Sequence, residues 1–204
     1  MKRSILIQSI LVFFFFAMQQ AFAQNTHSYG IKGGTTFTTL SNHGSWNIKP
    51  GLQAGAFAKL AGGEQLFFKA EFLATQKGAW NWNRSQPDNF SLYYFDLPIM
   101  FGIEINRNLS INLGIQPSVL LAGTYKFPTT TGNETRSIGS DIARFDYSLL
   151  IGAEYFIKED MFLGLRYSHA FVPLQNLIGE FTIQNQNQLL SNRVVQFYLG
   201  YVIK

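Results

Sequence analysis

The sequence has no cysteine, and only 14% of its 204 residues are charged. Without cysteine, a disulfide framework, a CxxC redox centre and a cysteine-based zinc site are excluded. Charged residues make up about a quarter of an average soluble domain, so this chain is poor in charge. Beyond residue 23, no apolar run approaches the ~20 residues of a membrane-spanning helix. The chain is instead rich in hydrophobic (47%) and aromatic (16%) residues, which excludes intrinsic disorder, and its length predicts one domain.

The first 23 residues have the organisation of a secretory signal peptide. A basic start at 1–3 precedes an apolar segment at 4–18, and Ala21-Phe22-Ala23 supplies the small-residue cleavage pattern. The alternative is a retained membrane anchor, but the apolar segment is shorter than a spanning helix and the cleavage pattern follows it at once. We therefore expect a cleaved signal peptide over 1–23 and a β-barrel domain over 24–204.

The net charge does not point to nucleic acid. Removing Lys2 and Arg3 with the signal leaves 14 basic against 12 acidic residues, and the basic residues are scattered singly. Nucleic-acid sites need Lys and Arg clustered on one face, so no nucleic-acid partner is predicted.

Apolar and polar residues alternate along the rest of the chain, and a period of two predicts strands. In the clearest segment, the apolar residues from Leu109 to Tyr125 share one parity, while Asn112 and Gln116 share the other. Strands that cross an outer membrane need about 9–11 residues, more than the five or six of a typical soluble strand. Eight segments of at least nine residues are predicted: 29–38, 51–60, 66–76, 93–105, 109–127, 145–157, 162–170 and 195–203.

The connections between these segments alternate in length. Short turns rich in Gly, Asn and charge occupy 61–65, 106–108 and 158–161, whereas 39–50, 77–91, 128–143 and 172–192 are long, polar and irregular. Short turns on the periplasmic rim and long loops outside are typical of outer-membrane barrels. Because eight is an even number, both chain ends are expected on the short-turn side.

Two features of the polar parity indicate that it faces inward. It carries glycines, which suit the narrow interior of an eight-stranded barrel: Gly34, Gly55, Gly102, Gly114, Gly152, Gly164 and Gly200. It also carries four cations and five anions, near the balance that a buried polar interior requires: Lys32, Lys59, Lys69 and Arg166 with Glu71, Asp96, Glu104, Asp146 and Glu154. The predicted fold class is therefore all-β, an eight-stranded antiparallel up-and-down transmembrane β-barrel with a filled polar interior. Aromatic residues near strand ends are expected in interfacial girdles: Tyr93, Tyr125, Phe127, Tyr147, Tyr155, Tyr167 and Tyr201.

Several short segments resemble the PorT-like outer-membrane β-barrel domains of Bacteroidota. They are Gly30-Ile31-Lys32-Gly33-Gly34, the stretch from Glu71 to Gln76-Lys77-Gly78, Tyr94-Phe95-Asp96-Leu97-Pro98 and Gln196-Phe197-Tyr198-Leu199-Gly200-Tyr201. Such barrels tend to end on an aromatic residue, whereas this chain ends on Ile203-Lys204. The resemblance implies the barrel fold and an outer-membrane location. Most members of the family have no assigned biochemical role, and the link of some to protein secretion does not transfer without residue evidence.

The sequence offers little chemistry. Ser168 and His169 are adjacent on a strand and so point to opposite faces, which prevents them from acting as nucleophile and base. No catalytic, cofactor-binding or metal-binding residue is predicted, and the protein is expected not to be an enzyme. The inward charges are expected to form a structural network rather than a proton or ion relay: Lys32, Lys69, Glu71, Asp96, Glu104, Asp146, Glu154 and Arg166.

The long loops carry the candidate interaction residues Trp46, Trp80, Trp82 and Arg84, since Trp and Arg are typical of binding hot spots. Anchoring of the Trp residues at the membrane interface is the alternative. We therefore expect a structural or interaction protein in contact with outer-membrane lipid, with a possible protein or surface-ligand partner at its loops. The alternatives are an accessory part of a secretion or surface-assembly machinery, a lipid- or lipopolysaccharide-modifying enzyme, and a soluble ligand-binding barrel.

Overall fold

The computed structural model describes residues 27–40, 47–81, 88–129, 132–137, 144–171 and 191–203, nearly all of them in strands. The predicted signal peptide lies outside these residues. The described residues form ten strands: β1 (His27–Leu40), β2 (Lys49–Ala61), β3 (Leu66–Asn81), β4 (Asp88–Asp96), β5 (Ile99–Glu104), β6 (Leu109–Thr129), β7 (Gly132–Ser137), β8 (Phe145–Phe156), β9 (Met161–Ala170) and β10 (Asn192–Ile203). The described part of the chain contains no helix long and apolar enough to span a membrane.

The strands pair with their chain neighbours in a closed antiparallel ring. β1 pairs with β2, β2 with β3, β8 with β9 and β9 with β10, and β10 returns to pair with β1. β3 pairs with both β4 and β5, which both pair with β6, and β6 pairs with β8. This ring confirms the predicted up-and-down topology.

β4 and β5 form one wall strand, which makes the ring eight-stranded. The break falls at Leu97 and Pro98, because proline has no N–H to contribute to a ladder. The register against β3 is the same on both sides: Leu73 faces Asp96, and Ala70, three residues earlier, faces Ile99, three residues later. The interruption therefore changes hydrogen bonding locally without shifting the wall.

The short turns 62–65, 105–108 and 157–160 lie at one end of the barrel together with His27 and Ile203, and this end is called the turn end. Local chemistry explains how these turns close: Gly63 has a φ of 130°, and Asn106 Oδ1 accepts hydrogen bonds from the backbone N–H groups of Asn108 and Leu109, both at 2.9 Å. The opposite end is called the loop end. Outer-membrane barrels have short turns on the periplasmic side and long loops outside, so the turn end is periplasmic and the loop end is extracellular.

Strands extend further into the predicted loops than the alternation indicates. β3 and β4 stay paired as far as Asn81 opposite Asp88, and β6 pairs with β7 as far as Thr129 opposite Gly132. β6 is 21 residues long, about twice the ~9–11 residues that cross a membrane. A sheet of β3, β4, β6 and β7 therefore continues past the barrel at the loop end.

The alternation has the predicted orientation, with polar residues inside and apolar residues outside. Phe101 is 72% exposed on the outer surface, whereas Gln116 on the inner surface is 0% exposed. In a soluble barrel the apolar set would fill the interior instead, so the soluble alternative is wrong. The exposed apolar surface requires lipid around it.

A β-bulge in β6 reverses the alternation near the loop end. Tyr93 faces Ala122 but Tyr94 faces Leu120, so Leu121 is an extra residue without a partner on β4. A bulge of this kind puts the following residues on the opposite face. The prediction that Tyr125 belongs to the outward girdle is therefore wrong, because Tyr125 is buried and Lys126 is exposed.

Candidate functional site

The barrel wall brings charged residues from four strands together in the interior. Lys32 comes from β1, Lys69 and Glu71 from β3, Glu154 from β8 and Arg166 from β9. None of the five is more than 4% exposed. Charges this deeply buried are tolerated only when they are paired and hydrogen-bonded, so their contacts decide what the interior does.

Glu71 is the centre of this group. Arg166 donates to both carboxylate oxygens, from Nη1 to Oε2 at 2.8 Å and from Nη2 to Oε1 at 2.9 Å. Lys32 Nζ donates to the same two oxygens at 2.9 and 3.1 Å. One carboxylate thus holds two cations, and the bidentate guanidinium pair is among the stronger hydrogen-bonding geometries in proteins.

Lys69 connects Glu71 to a second carboxylate. Its Nζ lies 2.6 Å from Glu154 Oε1 and 3.5 Å from Glu71 Oε1. Tyr198 donates its hydroxyl to Glu154 at 2.9 Å, and the Tyr198 ring lies beneath Lys32 Nζ, 3.4 Å from the ring centroid. These contacts form a continuous cluster of three cations and two carboxylates, here called the central cluster: Lys32, Lys69, Glu71, Glu154 and Arg166.

A further ion pair, between the predicted Asp96 and Lys77, which is missing from the predicted set, lies nearer the loop end. Lys77 Nζ contacts Asp96 Oδ1 at 2.9 Å and Ser118 Oγ at 3.4 Å, and both charged residues are buried. The sequence interpretation places Lys77 in a loop. The parity of Lys69 and Glu71 continues to Lys77, and this was the signal that could have identified it.

Asp146 and Glu104 lie apart from the central cluster. Asp146 is buried in β8, with Ser118 of β6 between it and Asp96 in the register, and it has no ion pair within the described residues. Glu104 accepts a hydrogen bond from Lys59 at 2.6 Å at the turn end, where its side chain is 43% exposed. This pair lines a cavity of about 510 Å³ between the turns 105–108 and 157–160.

The interior is less polar than predicted, because aromatic rings fill it between the central cluster and the turn end. Phe57 and Phe162 pack edge to face with centroids 5.4 Å apart, and Lys69 Nζ lies within 4.6 Å of both ring centroids. The Phe162 ring occupies the place where a Cβ at Gly200 would lie, and the two residues face each other across β9 and β10. The inward glycines therefore leave space for large neighbouring side chains, in addition to suiting the narrow lumen.

The predicted loop residues have different outcomes. Trp80 lies on β3 rather than in a loop, opposite Asn89, and exchanges backbone hydrogen bonds with Asn47 at 2.7 and 3.4 Å. Trp46, Trp82 and Arg84 lie outside the described residues.

Ser168 and His169 point to opposite sides of β9, as predicted. Ser168 is buried inside, and His169 is partly exposed on the outer surface, where its Nδ1 lies 3.3 Å from the Tyr167 hydroxyl. Asp146 and Glu154 are both inward and therefore cannot orient His169. Within the described ranges, no group of three His, Asp or Glu residues is placed to hold a metal ion.

Solved structures of small outer-membrane proteins share this fold. Neisserial surface protein A aligns with a TM-score of 0.56 at 11% identity, covering 86% of this chain and 98% of that protein. Ail, the attachment invasion locus protein of Yersinia pestis, aligns with a TM-score of 0.53 at 12% identity over 86% of this chain and 98% of its own. Its complex with the heparin analogue sucrose octasulfate aligns with a TM-score of 0.51 at 13% identity, over 87% and 99%. No curated protein matches the chain.

These similarities establish an outer-membrane barrel fold and agree with the outward apolar surface. The family model described as outer membrane protein beta-barrel domain matches residues 22–176, more than half of the chain. The protein is therefore a small barrel of the cell outer membrane and belongs to the outer membrane protein beta-barrel domain family.

Proposed function

We propose that the protein acts through its loop end as a structural and binding component of the outer membrane, and that it conducts no solute. The observation that carries this proposal is the packed interior: Arg166, Glu71 and Gln196 are 0% exposed, and the Phe57 and Phe162 rings lie between them and the turn end. An eight-stranded barrel is only wide enough for its own side chains. Binding is therefore left to the ends of the barrel.

The loop end is the better candidate surface because strands continue beyond the wall there. The sheet of β3, β4, β6 and β7 gives a partner a platform of paired strands, and Trp80 lies on it. Among the predicted interaction residues, Trp80 supports this role by its position, and Trp46, Trp82 and Arg84 belong to the same proposal. The central cluster and the Lys77–Asp96 pair are proposed to be structural and to hold the wall together beneath the platform.

Photocrosslinking in intact cells tests which end binds. A photoreactive amino acid is placed at Trp80 or Arg136 at the loop end, and at Arg107 or Lys158 at the turn end. We expect reproducible crosslinked species from the loop-end positions. Crosslinks from the turn end alone would overturn the proposal in favour of a periplasmic machinery component.

Purified protein in planar bilayers should also show no stable conductance, and a steady channel would contradict the filled interior.

The role proposed here is non-catalytic. The Ser168 and His169 side chains lie on opposite surfaces of the wall, which supports this view. Turnover of labelled outer-membrane lipids by the purified protein would contradict it.

The finer assignment to PorT-like barrels of Bacteroidota is also a proposal, supported by the segments 30–34, 94–98 and 196–201.

A further inference from the structure

Exposed charges are distributed unequally between the two ends of the barrel. Among the described side chains, the exposed charges at the turn end are balanced: Glu64, Arg107, Lys158 and Glu159. At the loop end, four exposed cations accompany one exposed acid: Lys126, Arg136, Arg144 and Arg193, with Glu134. Among the side chains that the structure describes, no recorded ion pair joins Lys126, Arg144 or Arg193 to a carboxylate. Among the described exposed side chains of the loop end, cations therefore outnumber acids by four to one.

Arg193 lies on the outward surface of the wall rather than on top of it. Its neighbours in β10, Asn192 and Val194, are each 2% exposed and face inward, so Arg193 faces outward. It pairs with His169 of β9 on one side and with Thr39 of β1 on the other. A guanidinium group is therefore presented on the surface that contacts lipid.

Aromatic side chains surround this position. The His169 ring lies 5.8 Å from the Phe171 ring and 6.4 Å from the Tyr167 ring, and the Phe171 N–H donates to the Tyr147 carbonyl at 2.9 Å. Tyr147, Tyr167 and Phe171 are all exposed on the outer surface. We call this group the girdle patch: Tyr147, Tyr167, His169, Phe171 and Arg193. Tyr and other aromatic residues at this level mark the boundary between acyl chains and headgroups.

On the described strands, the turn end has no outward cation of this kind, and its exposed cations Arg107 and Lys158 lie in the turns. Near the turn end, the exposed outward residues of the wall include Tyr29, Leu66, Tyr155, Tyr201 and Ile203, and no outward Lys or Arg accompanies them on the described strands. The side chain of Lys126 is exposed because of the bulge at Leu121. Without this extra residue, the alternation would place Lys126 inside the barrel. On the described strands, the exposed cations Arg193 and Lys126 thus both lie towards the loop end.

We propose that the loop end binds the phosphate groups of outer-leaflet lipid headgroups, with Arg193 of the girdle patch as the main contact and Lys126 and Arg144 as further contacts. Arginine suits this chemistry because its planar fork matches phosphate oxygens in a bidentate manner. Its long aliphatic stem can follow the apolar wall while the guanidinium reaches the headgroups. A soluble polyanion would be better served by cations on the loop tips than by one on the lipid-facing wall. This binding is independent of the partner binding proposed above.

Reconstitution of the folded barrel tests the proposal. The protein is placed in phosphatidylcholine vesicles containing diphosphorylated lipid A, or the same lipid A with its phosphates removed. The readout is the midpoint temperature of the heat-dependent mobility shift on a gel. We expect the phosphorylated lipid to raise the midpoint above the dephosphorylated one. Most of this difference should disappear in Arg193→Gln and all of it in the triple variant with Lys126→Gln and Arg144→Gln. The control Arg107→Gln, at the turn end, should keep it.

Three results would overturn the proposal. One is equal stabilisation by the two forms of lipid A, and another is retention of the difference by both Arg193→Gln and the triple variant. In the third, soluble sucrose octasulfate added to phosphatidylcholine vesicles raises the midpoint as much as lipid A does, which would reassign the cations to a soluble polyanion. The single variant keeps the test valid if the triple variant fails to fold. Failure here would leave the crosslinking test of partner binding unaffected.

Discussion

Among the described interior residues, Glu71 contacts the largest number of oppositely charged side chains. It pairs with Arg166 and Lys32 and lies 3.5 Å from Lys69, so its charge is shared among three cations. Loss of Glu71 would leave those three cations with Glu154 alone. Loss of Arg166 would leave two cations with two carboxylates, which is a balanced set. The balance of charges therefore predicts that loss of Glu71 destabilises the barrel more than loss of Arg166 does. The number of hydrogen bonds alone does not predict this difference.

Glu71→Gln is expected to lower the free energy of unfolding by about 3–5 kcal/mol, the usual cost of leaving buried charge unpaired. Arg166→Met, which approximately keeps the side-chain volume and leaves two cations with two carboxylates, should cost less. Urea unfolding in lipid vesicles, followed by tryptophan fluorescence, measures both. Glu104→Gln is the matched control, since its pair with Lys59 is partly exposed and should contribute no more than ~1 kcal/mol. A greater loss for Arg166→Met than for Glu71→Gln would show that charge balance is not the controlling factor.

Gly200→Ala tests the packing between glycines and aromatic rings. The added methyl group would overlap the Phe162 ring, so this ring must move within a filled interior. We expect a loss of about 1–3 kcal/mol in the same urea experiment, as for other overpacked sites. Gly33→Ala is the control, because the nearest atom to its Cβ would be the Gln53 carbonyl oxygen at an ordinary 3.7 Å. Similar losses in the two variants would contradict the steric explanation.

At the scale of elements, the β6 strand shows how a single extra residue changes two surfaces. Leu121 interrupts the pairing with β4, and beyond it Tyr125 is buried while Lys126 is exposed. A uniform period of two over 109–127 predicts the reverse for Tyr125. A bulge depends on pairing with the neighbouring strand, so alternation within β6 alone does not contain it.

Single cysteines can test the bulge, because the chain has none of its own. In vesicles, Lys126→Cys should react quickly with a water-soluble maleimide, and Tyr125→Cys should be protected. Deleting Leu121 should exchange the two reactivities, since the following residues would return to the regular parity. An unchanged pattern after the deletion would mean that the turning of the side chains does not depend on the extra residue.

At the scale of the whole molecule, closure of the ring makes one surface apolar and the other polar. Strands that carry inward Lys, Arg, Asp or Glu residues are not stable alone, because these residues need partners from other strands. Lys69 of β3 reaches Glu154 of β8, and Arg166 of β9 reaches Glu71 of β3. The interior ion pairs thus connect opposite sides of the wall as well as neighbouring strands.

The orientation of the barrel in the membrane follows from its two ends. In intact cells, Arg136→Cys at the loop end should react with a membrane-impermeant maleimide, because this end is extracellular. Arg107→Cys should react only after the outer membrane has been permeabilised. Labelling of position 107 in intact cells, with position 136 protected, would reverse the orientation and place the basic end in the periplasm.

The sequence by itself determined the class, the eight wall strands, the inward parity and the location, because each depends on the period of side chains along one strand. It placed Lys69 and Glu71 inside for this reason. Only the tertiary structure decided what pairs with what. Trp80 lies on a strand and not in a loop because β3 continues to pair with β4, Tyr125 faces inward because of a bulge opposite β4, and Lys77 is paired with Asp96 of β4. These outcomes depend on the pairing between strands, and a periodic pattern in one strand carries no information about the strand beside it.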